Sequence, residues 1–286
     1  MIKKLFTAAV ILMASVLISP GVCAAVNPND YICLPVVMYH SVRPNNAGKD
    51  SITPDEFETD LKFFKENGYQ TITMSDLIKF VDGKGTLPSK PVVLAFDDGF
   101  YNNYKYVYPL LKQYDMRIVL SIIANATDKF TRRPSQNEGY SHITWGQLNE
   151  MVSSGHVEVQ NHTYDMHADG KNGRVGSKQK KGESFEQYSR ALGEDLIKSQ
   201  MLIYTMTGQM PTTYVYPYGK YNDNTVAILK THGFRASFSC EFGINLIDKA
   251  GGTDLFSMRR ICRAHNQSAE KVIADAMETL KFRSMP

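Results

Sequence analysis

Three short stretches hold residue types that could do chemistry together. AFDDGF ends an apolar run with Asp97, Asp98 and Gly99. QNHTYDMHADG places His162 and His167 around Thr163 and Asp165. VYPYGKYN carries Tyr216, Tyr218 and Tyr221. Adjacent carboxylates repel each other, more so when buried, and a cation removes that objection. Two imidazoles and one carboxylate are good ligands for zinc and leave a position for water. An Asp turn closed by Gly99 is the plain alternative for the first stretch. Surface loop histidines are the alternative for the second, and core packing around a proline–glycine turn is that for the third. If they line a groove, the tyrosines could stack on sugar rings. Asp165 is either an acceptor beside the histidines or a local turn cap.

The elements needed to position these residues are legible. Val92 to Phe96 form a continuous apolar run, as expected of a strand buried on both faces. PVVMYHSV (35–42) and HVEVQNH read as further strands, the first ending in Tyr39-His40. Thr53, Pro54 and Glu56 predict a capped helix that Gly68 stops, with YQTIT a strand candidate and MSDLIKFVDG a short helix after it. Residues 104–114 read as helix, MRIVLSIIAN as strand, and DKFTRRPSQNEGY as loop. Thr144 and Gln147 predict a second capping box, and a long helix is expected from Phe185. The polar, glycine-rich run 168–184 reads as a mobile surface loop. A strand and turn (212–219), helix (222–231), two strands and a final amphipathic helix (268–280) complete the chain. The strand–helix rhythm without a long linker predicts one α/β domain, open-sheet or barrel. In either case the polar residues gather just after strands, where such folds place their sites.

The 286 residues are 43% apolar and 21% charged, a globular balance. The net charge of +3 does not argue for a nucleic-acid partner. Residues 1–24 read as a secretory signal peptide, with MIKKL, an apolar run and Val22/Ala24 placed for a cut after Ala24, or one residue later. The apolar run is short for a membrane anchor. Lipidation of Cys23 is a weaker alternative because Val22 is an awkward residue before a lipidated cysteine. Export is therefore expected, secreted or held at the cell surface, with residues 25–34 a leader and 35–286 a single domain. A monomer is expected. Cys33, Cys240 and Cys262 remain after cleavage, and Cys240 with Cys262 is the one pairing offered as a guess for geometry to test.

Taken in order, AFDDG, NHTYDMH and YPYG resemble the first three motifs of the polysaccharide deacetylase family, the NodB-like carbohydrate esterases. VVMYHSV and residues 53–73 are similar to the N-terminal part of many exported members. The resemblance covers roughly residues 35–265 and implies a distorted (β/α) barrel with fewer than eight regular strands. It implies one divalent metal, zinc first with cobalt, nickel or manganese as alternatives, and removal of acetyl groups from an acetylated polysaccharide. Asp98, His162 and His167 match the metal ligands and Asp97 the catalytic base. Thr163 matches the residue that fixes the histidine loop, and the Tyr218 N–H matches the oxyanion donor. A late histidine is implied as general acid, and MRRICRAHN offers His265 for it, with a plain loop histidine the equal alternative.

The sequence departs from the family pattern twice. The step from His162 to His167 is five residues, one longer than the commonest spacing. This resembles the branch acting on poly-β-1,6-N-acetylglucosamine. The arginine usual before PYG is Val215 here, and Arg259 or Arg260 is the expected spatial replacement. Peptidoglycan, chitin and acetylated xylan remain alternative substrates. A catalytically weak polysaccharide-binding protein, a glycosidase and an adhesion module remain alternative functions. A glycosidase is the poorer fit, since adjacent carboxylates cannot readily flank one glycosidic bond.

Overall fold

The computed structural model describes residues 28–45 and 47–283. The expected signal peptide, its cut and Cys23 lie outside the described residues. The elements are β1 (Tyr31–Leu34), β2 (Val36–Tyr39), β3 (Ser41–Val42), β4 (Ser51–Ile52), α1 (Pro54–Glu66), β5 (Gln70–Thr71) and α2 (Met74–Val81). Then come β6 (Pro91–Phe96), α3 (Tyr108–Tyr114), β7 (Ile118–Ile123), α4 (Ala124–Arg132), α5 (Trp145–Ser153), β8 (Val157–Thr163) and α6 (Phe185–Thr207). The chain closes with β9 (Thr213–Val215), α7 (Asp223–Thr231), β10 (Ala236–Phe242), β11 (Asn245–Asp248), β12 (Leu255–Cys262) and α8 (Ala269–Arg283).

Strands β2, β12, β10, β9, β8, β7 and β6 pair in that order, every pair parallel. Val36–Tyr39 of β2 also pairs with Val93–Phe96 of β6, which closes the ring. The short β5 lies beside the start of β6. The fold is thus a closed parallel barrel wrapped in helices, the (β/α) architecture expected of the NodB-like type. Alternation along each strand divides the core. Val36, Val93, Ala95, Val119, Val215, Phe238 and Met258 come from six strands into one cluster, so they fill the barrel interior. Leu34, Met74, Leu77 and Ile247 join the same cluster from β1, α2 and β11. The intervening residues Val37, Leu94, Phe96 and Leu120 face outward onto α1, α3, α5 and α8. Burying each such side chain contributes about 1.5–3 kcal/mol.

The capping boxes form as the sequence predicts. Thr53 with Glu56 opens α1, and Thr144 with Gln147 opens α5. Three segments differ from expectation. Residues 128–132, read as loop, belong to α4, which follows β7 directly with Ile123 at its N-cap and no side-chain cap. The helix therefore lacks the start signal that sequence reading relies on. Residues 31–34, read as leader, form β1 and pair antiparallel with β11, a partner more than 200 residues away. The 168–184 loop has no helix or strand of its own but is anchored. Its buried Arg174 meets Glu183 at 2.6 Å and donates to Lys178 O at 2.8 Å. Among the described residues no helix is long and apolar enough to cross a membrane.

Candidate metal centre

Because the ring strands are all parallel, their C-terminal ends share one rim, and the polar residues stand on it. β6 stops at Phe96, after which Asp98 and Gly99 adopt left-handed backbone conformations, φ 71° and 74°. Gly99 has a second constraint, since a Cβ there would lie 2.8 Å from Ile122 Cγ2. This turn sends Asp98 toward His162, carried by the end of β8, and His167, four residues beyond that strand. Asp98 Oδ1 lies 3.3 Å from His162 Nε2 and 3.5 Å from His167 Nε2. One ligand atom from each residue lies within 4.8 Å of the other two.

Several features of this cluster call for a cation. Asp98 Oδ1 is buried without a hydrogen-bond partner, an arrangement that is costly unless something else satisfies it. His162 Nδ1–H donates to Val215 O at 2.8 Å, which leaves the Nε2 lone pair facing Asp98. Burial opposes charge on Asp98, yet close contact with His162, and the charges of His162, His40 and His167, hold its carboxyl well below the usual range. Burial alone would lower the His162 pKa, but Asp98 and Asp97 raise it. His167 is brought down to about 4 by burial and by the positive charge of His162. The cluster thus favours one positive charge and offers two imidazole nitrogens and one unsatisfied carboxylate oxygen. That donor set fits a divalent metal ion.

Asp97 is buried beside the cluster. Arg260 Nη1 lies 2.8 Å from both of its carboxylate oxygens. Arg260 is itself buried and anchored by Nε donating to Ser239 O at 2.7 Å. His40 Nε2 stands 3.7 Å from Asp97 Oδ2. Thr163 Oγ1 donates to Asp195 Oδ1 on α6 at 2.7 Å and accepts from Met166 N at 2.6 Å. Asp195 also accepts from the N–H groups of Tyr164 and Asp165, both at 2.8 Å, so one buried carboxylate holds the turn that carries His167. A cleft of about 790 Å³ opens over these groups, lined among others by His40, Asp97, Asp98, His162, His167 and Tyr218.

The profile of the Polysaccharide deacetylase family matches residues 84–237, more than half of the chain. The chain belongs to this family. Over 211 residues it is 28% identical to YxkH of Bacillus subtilis, covering 73% of this chain and 65% of that protein. It is 26% identical over 269 residues to the poly-β-1,6-N-acetyl-D-glucosamine N-deacetylase of Escherichia coli K12, covering 87% of this chain but 39% of that one. The chain therefore spans less than two thirds of these relatives. Among solved structures it resembles a de-N-acetylase from Aggregatibacter actinomycetemcomitans, with TM-score 0.71, 27% identity and coverage of 85% and 99%.

Within this deacetylase-family barrel, other residues read from the sequence stand apart from the centre. His265 does not line the cleft. Its Nδ1 meets Glu56 Oε2 at 2.8 Å, on the cap of α1. Arg259 neighbours Arg260 on a strand and so points elsewhere, to Glu241 at 3.5 Å and Phe242 O at 3.2 Å. Asp165 is exposed and accepts from Asn125 Nδ2 at 2.6 Å rather than from a histidine. Tyr216 cannot line a groove, because it is fully buried with its hydroxyl 2.7 Å from Ser237 Oγ. Tyr221 stacks on Tyr216 at 4.3 Å and donates to Glu241 at 3.0 Å, outside the cleft. Tyr218 alone of the three faces the cleft, its ring 4.5 Å from that of His167. Cys33, Cys240 and Cys262 are free thiols, so the guessed Cys240–Cys262 bridge is not formed, although both line the cleft.

Two functional candidates had no role in the sequence reading. His40 closes β2 as Asp97 closes β6, so its position at a strand end was the available signal. Asp195 lies in the middle of α6, where nothing local sets it apart from a surface acid.

Proposed function

We propose that the protein is a metal-dependent hydrolase that removes acetyl groups from N-acetylglucosamine units of an extracellular or cell-wall polysaccharide. The observation that carries this is the Asp98–His162–His167 cluster, with its unsatisfied Oδ1, beside an Asp97 held by Arg260. A divalent cation there, zinc by preference for this donor set, supplies Lewis acidity toward an amide carbonyl and makes a water more acidic. Asp97 takes the proton of the attacking water, and Arg260 holds its carboxylate in place. The Tyr218 N–H is the candidate donor to the developing oxyanion, on a residue held at φ 57°. With His265 occupied by Glu56, His40 is the cleft histidine nearest Asp97, and it is assigned the proton for the departing nitrogen. The carbonyl–nitrogen bond breaks, giving acetate and a free amine.

Poly-β-1,6-N-acetylglucosamine is the preferred polymer. The five-residue histidine step and the name of the Escherichia coli relative support it. The chain is proposed to be exported with removal of residues 1–24, and residues 31–286, which add β1 to the span 35–286 read from the sequence, are proposed as its catalytic unit. The test is acetate release from acetylated glucosamine oligomers, with chelator and then with zinc, cobalt, nickel or manganese restored. Chelation is expected to abolish release and readdition to restore it. Release that ignores the chelator, or full activity in Asp98→Ala, overturns the reading. Shortened oligomers without acetate would point instead to glycosidic cleavage.

A further inference from the structure

Four aromatic rings run outward from the cleft wall. Phe100 lines the cleft and its ring lies 5.0 Å from His142. His142 stacks on Phe130 at 5.5 Å, and Phe130 lies 6.3 Å from Tyr140. The outermost ring, Tyr140, is 59% exposed, and its hydroxyl makes no hydrogen bond to any described residue. Gly139, just before it, is part of the cleft lining.

A single exposed tyrosine is ordinary, but the backbone here is held on several sides. Tyr101 N donates to Ser141 O at 2.8 Å, and Ser141 N to Asn137 O at 3.0 Å. Asn102 Nδ2 donates to Glu138 O at 3.0 Å, and Tyr106 Oη to Glu138 Oε1 at 2.6 Å. Asn102 and Tyr101 follow directly on the Asp97–Gly99 turn, so the segment that presents Tyr140 is tied to the one that presents the metal ligand. A rigid tyrosine offers a broad amphipathic face at low entropic cost.

We propose that Tyr140 is the stacking platform of a flanking saccharide subsite, taking a pyranose of the polymer outside the unit being hydrolysed. The inference rests on the function proposed above and adds where the rest of the chain binds. A β-linked glucosamine ring has its substituents equatorial and shows C–H groups on both faces, which suits the face of a tyrosine. The free Tyr140 hydroxyl is available to a ring hydroxyl or an acetamido group.

The test is a length series of acetylated β-linked glucosamine oligomers with the full chain, comparing Tyr140→Ala and Tyr140→Phe. In the wild type KM should fall as the oligomer lengthens. Tyr140→Ala should raise KM for the long oligomers about 3- to 10-fold, with a smaller change for the shortest and less effect on kcat. Tyr140→Phe, which keeps the ring, should stay near wild type. A Tyr140→Ala curve parallel to wild type across the series overturns the subsite. Calorimetric binding of a long oligomer to metal-free protein separates this from the activity. If wild type releases no acetate yet binds the oligomer, and Tyr140→Ala weakens that binding, the subsite stands and the deacetylase reading falls. No binding by the wild type overturns the subsite, whatever the acetate result.

Discussion

Arg260 and Arg263 stand three residues apart at the end of β12, and each holds one buried aspartate. The two carboxylates differ in what else surrounds them. Asp60 accepts from Arg263 Nε at 2.7 Å, Tyr39 Oη at 3.2 Å and Ala269 N at 3.0 Å, so both its oxygens are engaged. It joins α1 to β2, β12 and α8 and opens onto no cleft. Asp97 shares one nitrogen of Arg260 between its two oxygens, and its remaining surface faces the cleft and His40. Asp60, with three donors on it and buried away from the cleft, is out of reach of a water or a substrate. A carboxylate held from a single side is fixed in place and still free to react. The same ion pair is thus a clamp in one setting and a tool in the other.

The largest expected effects come from separating these two roles. Asp97→Asn should lower acetate release by about 10²- to 10⁴-fold. It should cost less stability than the Asp60 change, because the cleft admits water to the Arg260 it leaves behind. Asp60→Asn removes the charge that Arg263 Nε meets in the core, leaving Glu56 at 3.8 Å as its nearest carboxylate, and should cost about 3–5 kcal/mol in urea unfolding, while the folded fraction keeps most of its specific activity. Unfolding of Asp97→Asn, or an inactive but fully stable Asp60→Asn, would break the comparison.

The arginines should divide in the same way, with a smaller effect. A lysine at position 260 cannot reach both Asp97 oxygens, Ser239 O and Cys240 Sγ together. Arg260→Lys should therefore lower kcat about 10- to 100-fold with little change in KM or metal content. Arg263→Lys should move the unfolding midpoint and leave kcat near wild type. Equal kinetic effects from the two substitutions would mean that Arg260 acts only as packing.

What the sequence made visible follows from the range of each interaction. Strand β6 and the capping boxes depend on neighbours a few residues away, so apolar runs and Thr-x-x-Glu spacing marked them. The metal cluster was legible because each ligand sits in a compact motif at a strand end. Arg260 could be offered only as one of two candidates, since its partner lies 163 residues away and only barrel closure brings them together. Alternation along β12 then decides between Arg259 and Arg260. Tyr216 misled because burial is invisible in a turn-like sequence. Asp195 was missed because its partners are the backbone of another segment, which leaves no mark in residue type.

The smallest expected effect concerns the histidine that the resemblance pointed to. Glu56 accepts from Thr53 N, His265 Nδ1 and Asn266 N, each at 2.8 Å. Burial alone would raise its pKa, but the Thr53 N–H, His265, Asn266 and the charge of Arg263 outweigh this and bring it below the usual value. A carboxyl with a lowered folded-state pKa contributes stability above its unfolded-state pKa. That contribution is lost as pH falls through the folded-state value. Glu56→Gln should therefore cost under about 1 kcal/mol near neutral pH, because the group is partly exposed and screened. The gap to wild type should close in urea titrations carried into the acid range below about pH 4. His265→Ala should weaken the same contact and keep acetate release within about two-fold of wild type, as expected for a side chain on a helix cap. A drop in kcat with unchanged stability would return His265 to the reaction and take the proton-donor role from His40.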